Sequence, residues 1–200
     1  MRREHQNSLE VRKRGEVYSW DRKGLLFLKG KEGFGIAHIL CAELLRRGTG
    51  IFIIDCAIRF NVFRVADFFE EIGEDPEFYL HRIIVQRAFT PYQILDSAVQ
   101  AENRKNENLI HIFLAPFKQF FDGDVKKDEA GFLLKKLIIK YSVIKNKGIP
   151  IVIAEKENYP SSLFSEAMSE LEKCADMEWQ FSAPRNSPDE LSEKQSLFQT

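Results

Sequence analysis

The chain reads as an α/β protein, with a mainly parallel β-sheet flanked by helices on both faces. Three observations predict this class. Short β-branched apolar runs alternate with longer segments whose apolar residues fall at helical spacing, the pattern of repeated βα units. The apolar runs are continuous rather than alternating, as in strands covered on both faces. Two hundred residues of 44% hydrophobic content suit one domain with a sizeable core.

Residues 25–28, Leu-Leu-Phe-Leu, form the first predicted strand of this sheet. A glycine-rich turn follows, and then Ile36, Ile39, Leu40, Leu44 and Leu45 recur at helical spacing. Arg46, Arg47 and Gly48 give that helix a basic last turn and a stop. Residues 51–55 are a second strand. Residues 62–72 are a helix with Val62, Val65, Ala66, Phe69 and Ile72 on its apolar side, ended by Gly73. A strand at 83–85 and a helix at 91–103 come next, with Pro91 in the first helical turn. Residues 109–114 are a strand. Residues 130–145 are a helix whose apolar face carries Phe132, Leu133, Leu137, Ile138, Tyr141 and Ile144. Gly148 breaks the chain before a strand at 149–154. A shorter amphipathic helix at 162–173 and a last strand at 177–181 complete the pattern.

These elements place one core domain at residues 20–182. A basic N-terminal arm at 1–19 precedes it, carrying Arg2, Arg3, Arg12, Lys13 and Arg14. Residues 183–200, rich in Pro, Ser, Asn, Glu and Gln, read as a disordered tail. The formal net charge of −1 gives no bulk field that advertises nucleic acid. The basic arm suits phosphates or an acidic partner, and equally a solvated leader. No apolar run approaches the roughly 20 residues that span a bilayer, and the polar, basic first segment is not a secretory signal. Cys41, Cys56 and Cys174, odd in number and widely spaced, suit a reducing compartment. A cytoplasmic protein with no membrane partner is expected.

The turn after the first strand reads Gly30-Lys31-Glu32-Gly33-Phe34-Gly35-Ile36-Ala37. Gly30 and Gly35 keep the glycine spacing of the phosphate-binding pattern G-x-x-x-x-G-K-[ST]. The lysine position is Ile36 and the hydroxyl position is Ala37. In a working loop the lysine reaches the β- and γ-phosphates and the hydroxyl ligates Mg²⁺. Neither Ile36 nor Ala37 can do this, and Lys31 sits at the wrong end of the spacing. The order of strand, glycine loop and helix is nonetheless the order such a loop needs.

Residues 54–64, Ile-Asp-Cys-Ala-Ile-Arg-Phe-Asn-Val-Phe-Arg, are similar to the segment I-D-T-E-x-x-F-R-x-x-R of RadA-type recombinases, with Ile54, Asp55, Phe60 and Arg64 matching. Gly73-Glu74-Asp75-Pro76, then Ile83-Ile84-Val85-Gln86-Arg87-Ala88-Phe89, then Gln93 resemble that family's G-x-D-P … I-x-V-A-R-A-F … Q run without a gap between Gly73 and Phe89. The chain therefore resembles the RecA/RadA recombinase superfamily over roughly residues 20–181. The resemblance implies a RecA-like core without the family's N-terminal helical domain. It also implies a paralogue that has lost the ATPase residues. The glutamate that orients the attacking water falls on Ala57, and the Mg²⁺-side aspartate falls on Ala115. A polar Thr-Asn-Gln sensor falls on Ala154, Glu155 and Lys156. Phosphoryl transfer depends on positioning and charge neutralisation, so no ATPase activity and no cofactor are expected.

Two loops contact DNA in that family. The first corresponds to residues 117–129, with Lys118, Lys126 and Lys127 as candidate DNA-binding residues beside Arg12, Lys13 and Arg14 of the arm. Phe117, Phe120 and Phe121 there read either as base-stacking groups beside those lysines, or as core, with Asp122, Asp124 and Asp128 cancelling the lysines. The second, residues 155–162, is short and acidic. His38 with Cys41, and His111 with Cys56, lack a second metal-ligating pair and read as core. The expected function is that of an inactive RecA/RadA-like paralogue, an accessory of DNA recombination or repair. It would bind DNA, or a RadA-type recombinase or another paralogue, as a homo- or hetero-oligomer. A KaiC-like scaffold that binds proteins only, and a nucleotide sensor that does not hydrolyse, stand as alternatives.

Overall fold

The computed structural model describes residues 8–13, 15–104, 108–121, 125–156 and 159–181. Its centre is a six-stranded sheet in which every neighbouring pair is parallel. The strands are β3 (Leu25–Lys29), β4 (Gly50–Asp55), β5 (Ile83–Arg87), β6 (Leu109–Leu114), β7 (Ile151–Glu155) and β8 (Met177–Gln180), in the order β5-β4-β6-β7-β3-β8. The helices between them are α1 (Gly33–Arg46), α2 (Val62–Glu71), the single turn α3 (Glu77–Leu80), α4 (Pro91–Asn103), α5 (Lys127–Asn146) and α6 (Ser162–Cys174). A 3₁₀ turn occupies Lys118–Phe120. The predicted class, an α/β sheet with helices on both faces, is the observed one.

The period of two along each strand divides the core into two layers. Leu26 and Leu28 of β3, Ile51 and Ile53 of β4, and Val152 and Ala154 of β7 face one side, against α1 and α2. Leu25 and Phe27, Phe52 and Ile54, and Ile151 and Ile153 face the other, against α4, α5 and α6. Every central strand is thus wet on neither face, which is why its sequence is a continuous apolar run.

The helix boundaries have local causes. Thr90 accepts the Gln93 N–H with its side chain while Pro91 opens α4, and Asn61 accepts the Phe63 N–H at the start of α2. Gly48 and Gly148 follow α1 and α5 at φ of 84° and 75°, where an L side chain would be strained.

The segment expected as a basic arm holds an element absent from the sequence reading. β1 (Leu9–Lys13) and β2 (Glu16–Trp20) form an antiparallel hairpin. Its apolar side, Leu9, Val11 and Trp20, is buried in the α1-side layer. Trp20 donates its indole N–H to the Lys23 carbonyl at 2.9 Å, and Tyr18 packs on Trp179 and Phe181. Arg2, Arg3, Arg14, Asp122, Asp124 and the segment 183–200 lie outside the described residues. No helix among the described residues is long and apolar enough to cross a membrane.

Candidate functional site

In a parallel sheet the strand C-termini share one edge, and loops there are where ligands of open α/β sheets bind. In this chain that edge receives the glycine turn after β3, the 56–61 loop after β4, the 115–126 loop after β6 and the loop after β7.

The glycine turn is shorter than its spacing suggests. α1 begins at Gly33, so Gly33 and Gly35 are already helical. Gly30, at φ 104°, donates to the Glu155 carbonyl at 2.8 Å, and Gly33 donates back to the Gly30 carbonyl at 2.9 Å. Two of the turn's N–H groups are therefore bound to protein carbonyls rather than facing a ligand. A Cβ on Gly33 would stand 2.8 Å from the Leu28 carbonyl oxygen, whereas one on Gly35 would meet nothing nearer than Arg64 at 3.9 Å. The helix register turns Ile36 inward, where it is fully buried with Ala37 nearly so. Ile36 thus faces the core and not the place where a motif lysine would meet phosphate.

The other degenerate positions are also tied into the framework. Ala57 is half-buried, and its N–H points to the Asp55 carboxylate at 3.4 Å. Ala115 is buried at φ 51° and donates to the Ala154 carbonyl at 2.8 Å. Asp55, the strand-end carboxylate that matches the resemblance, is 1% exposed. It accepts the N–H of Arg59 at 2.8 Å and of Phe60 at 3.3 Å. It shapes the 56–61 loop rather than facing a ligand.

Glu155 is the residue the sequence reading underrated. It ends β7 and is 1% exposed, so it adds no surface charge to the second loop. Its carboxylate accepts the N–H of Phe117 and of Lys156, each at 2.9 Å. One side chain thereby joins the first loop to the second, while its backbone carbonyl holds Gly30. Burial pushes its pKa up to about 7, against the opposing pull of the two N–H groups, Lys156 and Arg59. A carboxylate directly after the apolar run Ile-Val-Ile-Ala was the available sequence clue.

His38 on α1 is a joint of the same kind. Its Nδ1 lies 2.6 Å from the Phe34 carbonyl oxygen and its Nε2 accepts the Asn61 N–H at 2.9 Å. One acceptor and one donor partner fix the neutral, Nδ1-protonated ring. Burial, the largest cause, holds its pKa below the ordinary 6.5. His38, Cys41, Cys56 and His111 are all buried, and no group of metal-ligating side chains occurs among the described residues.

The edge carries several cations, with Asp128 and Glu129 exposed beside Lys126 and Lys127 and Glu32 in the cavity lining. A cavity of about 720 Å³ lies over the first turn of α1, lined by Lys13, Lys31, Arg59 and Arg64 with Phe34 and His38. Lys13 is paired with Glu32 at 2.6 Å, and Arg59 lies over the Phe34 ring. Lys126 and Lys127 are exposed at the start of α5, and Lys118 is half-buried on the 3₁₀ turn. Lys156 lies over the Tyr159 ring. Arg12 is exposed on the hairpin, away from Lys13, as alternation along β1 requires. Phe117 and Phe120 are buried and Phe121 packs on Tyr159 and Phe164, so these rings are core and not stacking groups. The structure gathers Lys13, Lys31 and Gly35 around one cavity, and leaves Lys126 and Lys127 on the α5 side of the edge. Sequence reasoning missed Arg59 and Arg64 as members of this basic set.

No protein-family model matches this chain, and no curated protein matches it in sequence.

Proposed function

We propose that this chain is a catalytically silent RecA-like module that works by binding, as an accessory of DNA recombination or repair in the cytoplasm. It holds a single DNA strand, or a recombinase protomer that carries one, on the C-terminal edge of its sheet. The observation that carries this reading is the charge of that edge. Lys31, Arg59, Lys118, Lys126, Lys127 and Lys156 stand on it against the exposed Asp128 and Glu129, while its two strand-end acids, Asp55 and Glu155, are buried on backbone N–H groups. Such an edge attracts phosphates without reading sequence. The loss of catalysis rests on Ile36, Ala37, Ala57 and Ala115, which supply no group for phosphoryl transfer. Assembly with a second copy or a paralogue belongs to the same proposal.

The test is a salt series on single-stranded DNA with the wild type and Lys126→Ala/Lys127→Ala. Each phosphate contact on a single strand contributes about 0.7 to the slope of log K against log salt, so the variant should lose about 1.4 units. An unchanged slope removes these lysines from the reading. Absence of binding in low salt, alone and with a recombinase present, removes the DNA role and leaves the protein scaffold.

A second reading, a nucleotide sensor without turnover, is favoured by the basic cavity over α1. Calorimetric titration of ATP decides it: micromolar affinity supports the sensor, and millimolar or weaker binding supports the strand-binding module.

A further inference from the structure

The loop after β4 and the first turn of α2 expose large apolar side chains. Ile58, Val62 and Phe63 are 67%, 38% and 73% exposed. Arg59 and Arg64 lie in the same segment and line the cavity over α1 together with Lys31, Ile58 and Glu32. Among the described residues no carboxylate forms a salt bridge with Lys31, Arg59 or Arg64.

The backbone here is held, not loose. Ile58 sits at φ 53°, an outlier for a β-branched residue. Such conformations persist only where the surroundings over-determine them, and they cluster at ligand-binding segments. Here the Asp55 carboxylate grips the following N–H groups, and His38 takes the Asn61 N–H. The loop is also joined to the basic turn after β6, because Gln119 donates its side-chain amide to the Cys56 carbonyl.

We infer that residues 58–64, with Lys31, form a second contact surface for single-stranded nucleic acid, taking phosphates on Lys31, Arg59 and Arg64 and a base on Phe63. This rests on the reading that the C-terminal edge binds a strand, and it extends the strand's path from α5 across to β3. The ends of β4 and β3 are three strand spacings apart, about 14 Å. The chemistry favours a strand over a protein partner. A protein interface of ordinary size needs about 800 Å² of complementary surface on each side. This surface offers the projecting Phe63 ring beside Ile58 and Val62, with Lys31, Arg59 and Arg64 in no carboxylate salt bridge among the described residues and Arg59 stacked on Phe34, a combination of stacking platform and phosphate groove that single strands use.

The test is fluorescence anisotropy of a labelled oligothymidylate with the full chain, from about 50 to 200 mM salt. Five proteins are compared: wild type, Arg59→Ala/Arg64→Ala, Arg59→Lys/Arg64→Lys, Phe63→Ala and Lys126→Ala/Lys127→Ala. All five substituted side chains are exposed, so folding is retained and circular dichroism checks it. The arginine variant should lose about 1.4 units of salt slope. Phe63→Ala should weaken binding at least about fivefold with the slope unchanged. The Arg59→Lys/Arg64→Lys protein should recover the slope. If the arginine and Phe63 variants match the wild type while the lysine variant weakens, this surface is wrong and the edge reading stands. If the wild type does not bind at about 50 mM salt, alone or with a recombinase protomer present, both are wrong. If pyrophosphate binds at micromolar concentration through Arg59 and Arg64 and the strand does not need them, the cavity is a small-anion site and this surface is again wrong.

Discussion

Replacing Glu155 by glutamine should flatten a pH dependence of stability that the wild type carries. Glu155 is 1% exposed and its pKa is pushed up to about 7 from an ordinary 4.5, so the folded chain holds a proton that the unfolded chain has released between those values. The folded state binds more protons in that window, so this group's contribution is fully present below pH 4.5 and is lost as pH rises through 7. The shift of about 2.5 units at 1.36 kcal/mol per unit makes the loss roughly 3 kcal/mol. Glutamine resembles the protonated acid, accepting one N–H and turning its amide toward the other, so its own cost is constant with pH. His38 acts in the opposite sense. Its pKa is lowered in the fold, so its contribution is present above 6.5 and is lost as pH falls below. Because both proteins keep His38, it cancels in the difference. The assay is urea unfolding of both proteins at several values from pH 5 to 8. The stability of the wild type minus that of Glu155→Gln should fall by roughly 2.5 kcal/mol across the range, most of it below pH 7, and level off above about 7. A difference that is flat, or that rises with pH, would refute the reasoning. It would mean that the N–H groups of Phe117 and Lys156 outweigh burial and keep the carboxylate ionised throughout.

Two further predictions concern the glycine turn. Ile36→Lys, which restores the motif's lysine, should not restore ATP turnover; it should destabilise the fold by about 3 kcal/mol or more, measured by urea unfolding, because position 36 is fully buried. Gly33→Ala should cost about 1–3 kcal/mol because its Cβ meets the Leu28 carbonyl oxygen, while Gly35→Ala, in open helical backbone, should gain up to about 1 kcal/mol. Thermal melts rank the two glycine variants, and the reverse order would show that the turn opens to the form its motif spacing suggests.

Much of the fold was legible because its strands are covered on both faces. Leu25–Lys29, Leu109–Leu114 and Ile151–Glu155 stand out as uninterrupted apolar runs, and Pro91–Asn103 carries its own Thr90 cap and first-turn proline. The sequence by itself therefore determined the α/β class, the order of the sheet's elements and the presence of Ile36 and Ala37 where the motif has lysine and a hydroxyl. The hairpin escaped because it buries only one side. Leu9, Val11 and Trp20 are interleaved with the charges of Glu10, Arg12 and Lys13, so its composition reads as a solvated arm. The start of α1 at Gly33 also escaped, because the close approach to Leu28 that selects this register is a contact between elements and leaves no periodic trace. The burial of Glu155, the capping work of Asp55 and the meeting of Lys31, Arg59 and Arg64 around one cavity belong only to the tertiary structure. Periodicity reports which side of its own element a residue faces. Which loop ends converge depends on the order of the strands, and the order β5-β4-β6-β7-β3-β8 is set by packing across the whole sheet.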